Sequence, residues 1–503
     1  MSVFSHRPLG QLIPGSPHSV ACSLPTLHDI IGYEEGQPET IRHITCGYPR
    51  FVVHSHAKQL CEFLGRRPDL TGRSLWLVTS PKMAEALADK LGRAAPALAA
   101  PFSVEGIDGV AHTDTPEWNA RGKVFLQHLG GFLSTRAAED HLVRLGLRPA
   151  ADPEKLFPGD AVGEIKRVLR GCYAATRDTD ILLAPSGMNA MQAAFRAISA
   201  VQAPRGRTAW VQLGWLYLDT IALLKKFTPD PARDYLRHGD VTDLTGLERL
   251  FAEHGTRIAG VVIEAPTNPL VQTPDVAAVA ALARRHGARL ILDPAISSPF
   301  NVDLLPHSDL VAQSLTKYTA HEGDVIAGAV VVNPAGPDAN ALRSLAASFL
   351  EPVHSRDLAR LAAQIGTAAQ VVARINASTL KVAAFLESHP NVSQVWWAQQ
   401  PASRANYLQV ARTPSSVGCM ISFTIKLPLE KFYDQVRLPK GPSFGMQTTL
   451  LSPFIYLAHY DLVTAATGRA ELAAFGIDPN LLRLCVGAEP ADDIIATLAE
   501  ALG

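Results

Sequence analysis

Basic runs, heptad seams and Cys-x-x-Cys pairs are all missing from this chain, and no apolar stretch reaches the roughly 18 residues that a membrane-spanning helix requires. Lys and Arg number 46 against 47 Asp and Glu, for a formal net charge of −1. That balance gives no electrostatic attraction toward nucleic acid or an anionic membrane, so neither is expected as a partner. The six cysteines, Cys22, Cys46, Cys61, Cys172, Cys419 and Cys485, are scattered. They have neither the spacing of a zinc site nor that of a disulfide framework, so no metal is expected and reduced thiols point to a cytoplasmic protein. The start, Met1 to His6, has no charged segment followed by an apolar one and does not read as a secretion signal.

With 503 residues, 47% of them hydrophobic, the chain can bury a large core, and its length suggests two or three domains. Residues 1–50 are rich in Pro, Gly and His and read as an extended arm. Residues 52–178 have helical and α/β character, without a catalytic cluster. From Asp180 onward apolar runs such as GVVIE and RLILD alternate with amphipathic stretches such as MQAAFRAISAV and DVAAVAALARR. This rhythm predicts an α/β fold with a mostly parallel sheet and helices on both faces. A large domain is expected over 51–335 and a smaller C-terminal α/β domain over 336–503.

Chemistry concentrates in the stretch from Leu290 to Asn333. An apolar strand ends in Asp293, and a second leads into Ser314-Leu-Thr316-Lys317. In open α/β sheets the ligand crevice lies outside the carboxyl ends of the strands, so both side chains are expected in one pocket. Pyridoxal phosphate (PLP) needs a lysine for covalent attachment and a carboxylate on its ring nitrogen, and these two residues can supply both. Taken singly, each has a plainer reading, a solvated surface lysine and an aspartate that forms a turn. Ser186-Gly187-Met188 opens a helix after a strand, which suits either a phosphate seat or a simple serine cap. Pro49 holds Tyr48 extended, so Tyr48 and Arg50 point the same way, as a phosphate fork or as part of a surface turn. Asn268, in Glu264-Ala-Pro-Thr-Asn268-Pro269, falls at the same sheet edge as Asp293.

Taken together and in order, GYPR, PSGMNA, EAPTNP, LILDPAISSP, SLTKY and LLRLCVGAE resemble the motifs of the Cys/Met-metabolism family of PLP enzymes, of fold type I. Ser23–Thr26, Gly32–Gly36, Gly441–Gly445 and Leu457–Tyr460 bring the chain nearest to the fungal-type cystathionine γ-synthases. The resemblance implies a sheet of the seven-stranded type, an amino-acid substrate, and a homo-oligomer with a dimer as active unit, assembling to a tetramer. It implies that Lys317 carries the cofactor and moves protons, that Asp293 meets the ring nitrogen, that Asn268 reaches the ring hydroxyl and that Tyr217 stacks on the ring. Ser186, Gly187, Met188, Ser314 and Thr316 would seat the phosphate, with Tyr48 and Arg50 arriving from the neighbouring subunit. Arg483 would clamp the substrate carboxylate, with Ser443 in the adjoining substrate loop.

Two positions depart from the family pattern. Glu322 stands where a histidine is usual, and Thr448 lies in a loop that lacks the family's common glutamate. Glu322 is therefore expected to face the pocket in that acid's place. The activity implied is γ-replacement on an activated homoserine. The alternative is γ-elimination from an unusual γ-substituted amino acid, with halogenated ones among the candidates. A third reading, the fold without turnover, is opposed by the intact Lys317 and Asp293.

Overall fold

The computed structural model describes residues 3–48, 52–92 and 98–503. Its centre is a seven-stranded sheet. In chain order the strands are β1 (Ile181–Ala184), β2 (Ala209–Leu213), β3 (Tyr235–His238), β4 (Ile258–Glu264), β5 (Arg289–Asp293), β6 (Leu310–Ser314) and β7 (Gly328–Val332). They lie side by side as β1-β7-β6-β5-β4-β2-β3. Only β7 runs against its neighbours, pairing antiparallel with β6 and β1. The mostly parallel sheet expected from the alternating pattern is therefore present. All of β4 is buried, as expected for a strand covered on both faces. The consequence for function is directional: β1, β2, β4, β5 and β6 all end at one edge, and the loops that follow them carry Ser186, Tyr217, Asn268, Asp293 and Lys317.

The helix Gly187–Gln202 begins at that edge. Ser186 caps it, its hydroxyl accepting the Asn189 N–H at 3.1 Å. The remaining N–H groups of the first turn are left facing the sheet edge.

Residues 52–178 contain a separate three-stranded antiparallel sheet, with Ile107–His112 between Ser74–Leu77 and Ala99–Val104. Ser80, Thr115 and Ser134 cap its helices through their hydroxyls, and Pro81 and Pro116 occupy first positions where no N–H is needed. The arm does not hang free. Leu12–Ile13 pairs with Ala21–Cys22, the Val20 N–H donates to the Gly323 carbonyl at 2.9 Å, and the Leu24 N–H donates to the Lys440 carbonyl at 3.1 Å. It thus lies on the loop after Lys317 and on the C-terminal domain of its own chain.

That C-terminal domain is built on an antiparallel sheet in the order Val392–Trp397, Met420–Ile425, Leu482–Cys485, Leu450–Pro453. The helices Ala339–Phe349 and Ser355–Ile365 pack against Gly187–Gln202 and Ala161–Cys172 respectively. Both therefore pack on the large domain, and the long helix Ala368–Ser388 follows them. Among the described residues no helix is long and apolar enough to cross a membrane.

A buried ionic network joins the 52–178 region to the catalytic side of the sheet. Arg136 meets Glu154 at 2.8 Å and Asp357 at 3.2 Å and donates to the Asp324 carbonyl at 2.7 Å. Arg356 binds Glu139 at 2.7 Å, and Arg360 binds Asp324 at 2.9 Å. Such pairs add little net stability over an apolar contact, but removing one partner strands the other charge, so they fix how the parts dock.

Gly130 shows how close that docking is. It has φ +67°, and a Cβ placed there would lie 2.1 Å from Ser186 Oγ and 2.7 Å from the Asn189 nitrogen. Gly130→Ala is expected to destabilise the protein by about 2 kcal/mol through left-handed strain and collision with the Ser186 cap. Thermal denaturation at fixed pH checks this, and an unchanged midpoint would mean that the loop yields freely.

Candidate active site

One cavity at the carboxyl edge of the sheet is lined by Tyr48, Ser186, Gly187, Met188, Tyr217, Asn268, Asp293, Ser314, Thr316, Lys317, Ser443 and Arg483. Every candidate residue in the described parts of the chain converges there except Glu322. Arg50 lies outside the described residues.

Lys317 enters from the loop after β6. Its Nζ donates to Ser443 Oγ at 2.8 Å and to the Tyr48 hydroxyl, and it lies 4.6 Å from the ring centres of both Tyr48 and Phe444. Tyr48 and Ser443 are themselves hydrogen bonded at 3.0 Å. Ser443 has φ +96°, a left-handed conformation that is costly for a residue other than glycine, and its carbonyl accepts from Arg483 Nη2 at 3.4 Å. Thr316, one residue before the lysine, accepts the Ala327 N–H at 3.1 Å, which fastens the loop to the start of β7.

In the single chain Tyr48 stands beside Lys317. The reason is the path of the arm: Ile44 is packed among Leu24, Leu457 and Val486, and the Cys46 thiol donates to the Ser19 carbonyl at 2.9 Å. The segment is thus delivered to this cavity.

Asp293 ends β5 and is open to the cavity on one side. Its Oδ1 accepts the Ala295 N–H at 2.8 Å. Burial nevertheless pushes the carboxyl up to about 7, with that hydrogen bond pulling the other way. Arg483 comes from the C-terminal sheet, paired across to Ser422 and Ser452. Its guanidinium is buried, lies 4.3 Å from the Phe454 ring centre, and donates through Nη1 to Asn268 Oδ1 at 3.3 Å. Its Nε is buried without a hydrogen-bond partner.

Glu322 does not line the cavity. Its carboxylate is held by Arg360, and its backbone N–H donates to Gln364 Oε1 at 2.9 Å. With its carboxylate on Arg360, it is not among the residues that line the cavity. Other wall residues went unforeseen. Gln127, Gly130, Phe132, Thr135 and Arg136 come from the 52–178 region, where only ordinary helix patterns mark them. Phe444 and Glu264 stood inside motifs but carried no assigned role.

The arrangement fits PLP. A glycine-opened helix start offers N–H groups and a positive dipole end to a phosphate, and Gly187 lies so close to Ser314 that a Cβ would sit 2.9 Å from the Ser314 Cβ. A desolvated carboxylate awaits a cationic ring nitrogen. A primary amine stands in the same cavity, and an arginine with an unused N–H can receive a carboxylate. Fold and site together define a fold type I PLP enzyme.

Comparison with known proteins agrees. Residues 173–503 match the model of the Cys/Met metabolism PLP-dependent enzymes. A protein of Streptantibioticus cattleyicolor named L-2-amino-4-chloropent-4-enoate dechlorinase/desaturase is 38% identical, over 97% of each chain. Cystathionine γ-synthase of Neurospora crassa is 27% identical over 98% of each. The crystal structure of cystathionine γ-lyase from Lactobacillus plantarum superposes with a TM-score of 0.57 at 22% identity, covering 68% of this chain and 86% of that one. The chain belongs to the Cys/Met-metabolism family of PLP-dependent enzymes. Its relatives include γ-synthases and γ-lyases, so it is an enzyme of that group.

The raised Asp293 carboxyl has a measurable consequence for the apoenzyme. A group that holds its proton more tightly when folded contributes stability below its unfolded value, and that contribution is lost as pH rises through the folded value. Apoenzyme stability is therefore expected to fall between about pH 4, the ordinary aspartate value, and about 7. Urea denaturation across this range should show a shallower fall in Asp293→Asn. An identical slope in both proteins would remove Asp293 as its source.

Proposed function

We propose that the protein eliminates chloride from the γ-carbon of an amino acid. The observation that carries this reading is the neutrality of the cavity wall away from the strand ends. Leu24, Ile44, Val52, Phe454 and Leu457 face it. Burial pushes the thiols of Cys22 and Cys46, on the same wall, up to about 11 and about 12, so both stay uncharged. The ions that reach the wall, Arg136, Asp324 and Asp357, are already paired with one another. Such a wall suits a small uncharged γ-substituent and offers little to a succinyl or phosphoryl group or to the ammonium of a second amino acid. The S. cattleyicolor relative supports the choice, because its named substrate carries chlorine on C4, the γ-carbon.

Bound PLP supplies the electron sink that makes the Cα and Cβ protons removable. The remaining roles belong to this chain. Asp293 holds the proton on the ring nitrogen, Asn268 meets the ring hydroxyl, and Tyr217 lies against the ring. Ser186, Gly187, Met188, Ser314 and Thr316 seat the phosphate. Arg483 grips the α-carboxylate through its free Nε and an adjacent Nη, a bidentate fit that lysine could not give. Lys317, which carries the cofactor at rest, takes the proton from Cα and serves the proton at Cβ once free. The Tyr48 hydroxyl and Ser443 Oγ hold its Nζ over the reacting carbons. Chloride leaves with its bonding pair and needs no acid, being a very weak base. The net loss is one proton and one chloride.

A second reading, replacement at the γ-carbon by a thiol, is favoured by the N. crassa synthase and would use the same residues. Incubation with L-2-amino-4-chloropent-4-enoate, and with O-acetyl-, O-succinyl- and O-phosphohomoserine, each with and without cysteine, separates the two. Chloride release without any thiol is expected, at a rate at least about tenfold above turnover of the homoserine esters, the equivalent of about 1.4 kcal/mol in barrier. Cystathionine formation from an ester with no release of chloride would overturn elimination in favour of replacement.

A further inference from the structure

Glu264 is a buried acid at the strand ends to which none of these steps assigns a role. It closes β4, and its Cα is the register partner of Asp293 at the end of β5. The side chain is 4% exposed and lines the same cavity. Its Oε1 accepts the backbone N–H of Tyr217. The backbone N–H of Asn268 also favours its carboxylate form. Tyr217 and Asn268 lie on different loops, after β2 and after β4. The Tyr217 hydrogen bond therefore ties the loop of that tyrosine to the end of β4, from which the loop of Asn268 departs. Through the Asn268 side chain the connection runs on to Arg483.

The charge of Glu264 has no counterpart of its own. Among the described residues no ion pair reaches it, whereas Asp293 lies beside it. The other titratable or charged groups lining the cavity near it are Lys317 after β6, Arg483 of the C-terminal sheet, Tyr48 of the arm and Tyr217. Two carboxyls buried side by side do not both ionise readily, and the charge settles on the one that meets a cation. Burial and the neighbouring Asp293 both push Glu264 well above the usual carboxylate range.

We propose that Glu264 is a positioning residue for the cofactor, holding the Tyr217 loop against the end of β4, beside Asp293 and the Asn268 loop, by accepting the Tyr217 backbone hydrogen bond. This rests on PLP as the cofactor and is independent of whether elimination or replacement follows. A neutral carboxyl can do what an ionised one cannot: it organises the ring's surroundings without competing for the proton on the ring nitrogen. Asp293 then carries the charge that would face that nitrogen.

The test uses the holoenzyme and reads cofactor binding rather than turnover. Glu264→Gln keeps the accepting oxygen and is always neutral. Glu264→Leu keeps the bulk and removes the acceptor. The PLP dissociation constant and the visible circular dichroism of the bound cofactor are measured for both. Glu264→Gln is expected within about threefold of the parent affinity, with an unaltered dichroic band, and Glu264→Leu is expected to bind at least about tenfold more weakly with an altered band. Parental affinity and band in Glu264→Leu would show that the residue positions nothing. Should Glu264→Leu not fold, Glu264→Gln alone decides: retention of affinity supports a neutral acceptor, and a tenfold loss shows that the negative charge itself was needed. A parent protein that bound no PLP would instead remove the cofactor reading.

Discussion

A carboxylate at the end of a buried apolar strand is unfavourable until something positive meets it, and Asp293 is placed in that way. The cost cannot be relieved by moving the side chain, because the strand before it is fixed on both sides by β4 and β6. What relieves it is a cation brought into the cavity, and a protonated ring nitrogen is such a cation. The sheet sets the rest of the geometry. Parallel strands put all their carboxyl ends at one edge, so the loops carrying Ser186, Tyr217, Asn268 and Lys317 surround the same point as the acid.

The opposite wall is assembled from distant parts of the chain. The arm contributes Cys22, Leu24, Ile44 and Tyr48, the 52–178 region contributes the segment from Gly130 to Arg136, and the C-terminal domain contributes Phe444 and Arg483. The network of Arg136, Arg356 and Arg360 with Glu154, Asp324 and Asp357 holds the 52–178 region against the loop after Lys317 and the helix Ser355–Ile365. Likeness to the L. plantarum γ-lyase structure covers 68% of the chain, whereas likeness to the S. cattleyicolor and N. crassa proteins covers 97% and 98%. What this chain has beyond the shared fold is thus held in common with those two relatives. Specificity for the γ-substituent is best sought there, away from the strand ends.

The strand ends were legible in the sequence because each is a local pattern. An apolar strand closing on Asp293, a Ser-x-Thr-Lys turn, and a glycine opening a helix can each be read within a few residues, and their common edge follows from the parallel sheet. Three other features depend on contacts that no local pattern carries. Glu322 has its carboxylate on Arg360, which lies on a later helix. Tyr48 comes to stand beside Lys317 because the arm before it packs on the C-terminal domain. Gly130 and Arg136 enter the wall because the loop at Gly130 and the helix Thr135–Arg144 dock against Ser186 and the Asp324 loop.

The most direct measurement is chemical. Reduction of the yellow holoenzyme with borohydride, followed by proteolysis and mass mapping, locates the lysine that holds the cofactor. The pyridoxyl group is expected on Lys317, the lysine held by Tyr48 and Ser443 in the cavity that Asp293 shares. Its recovery on any other lysine, including the buried Lys440, would contradict the assignment of this sheet edge as the catalytic centre.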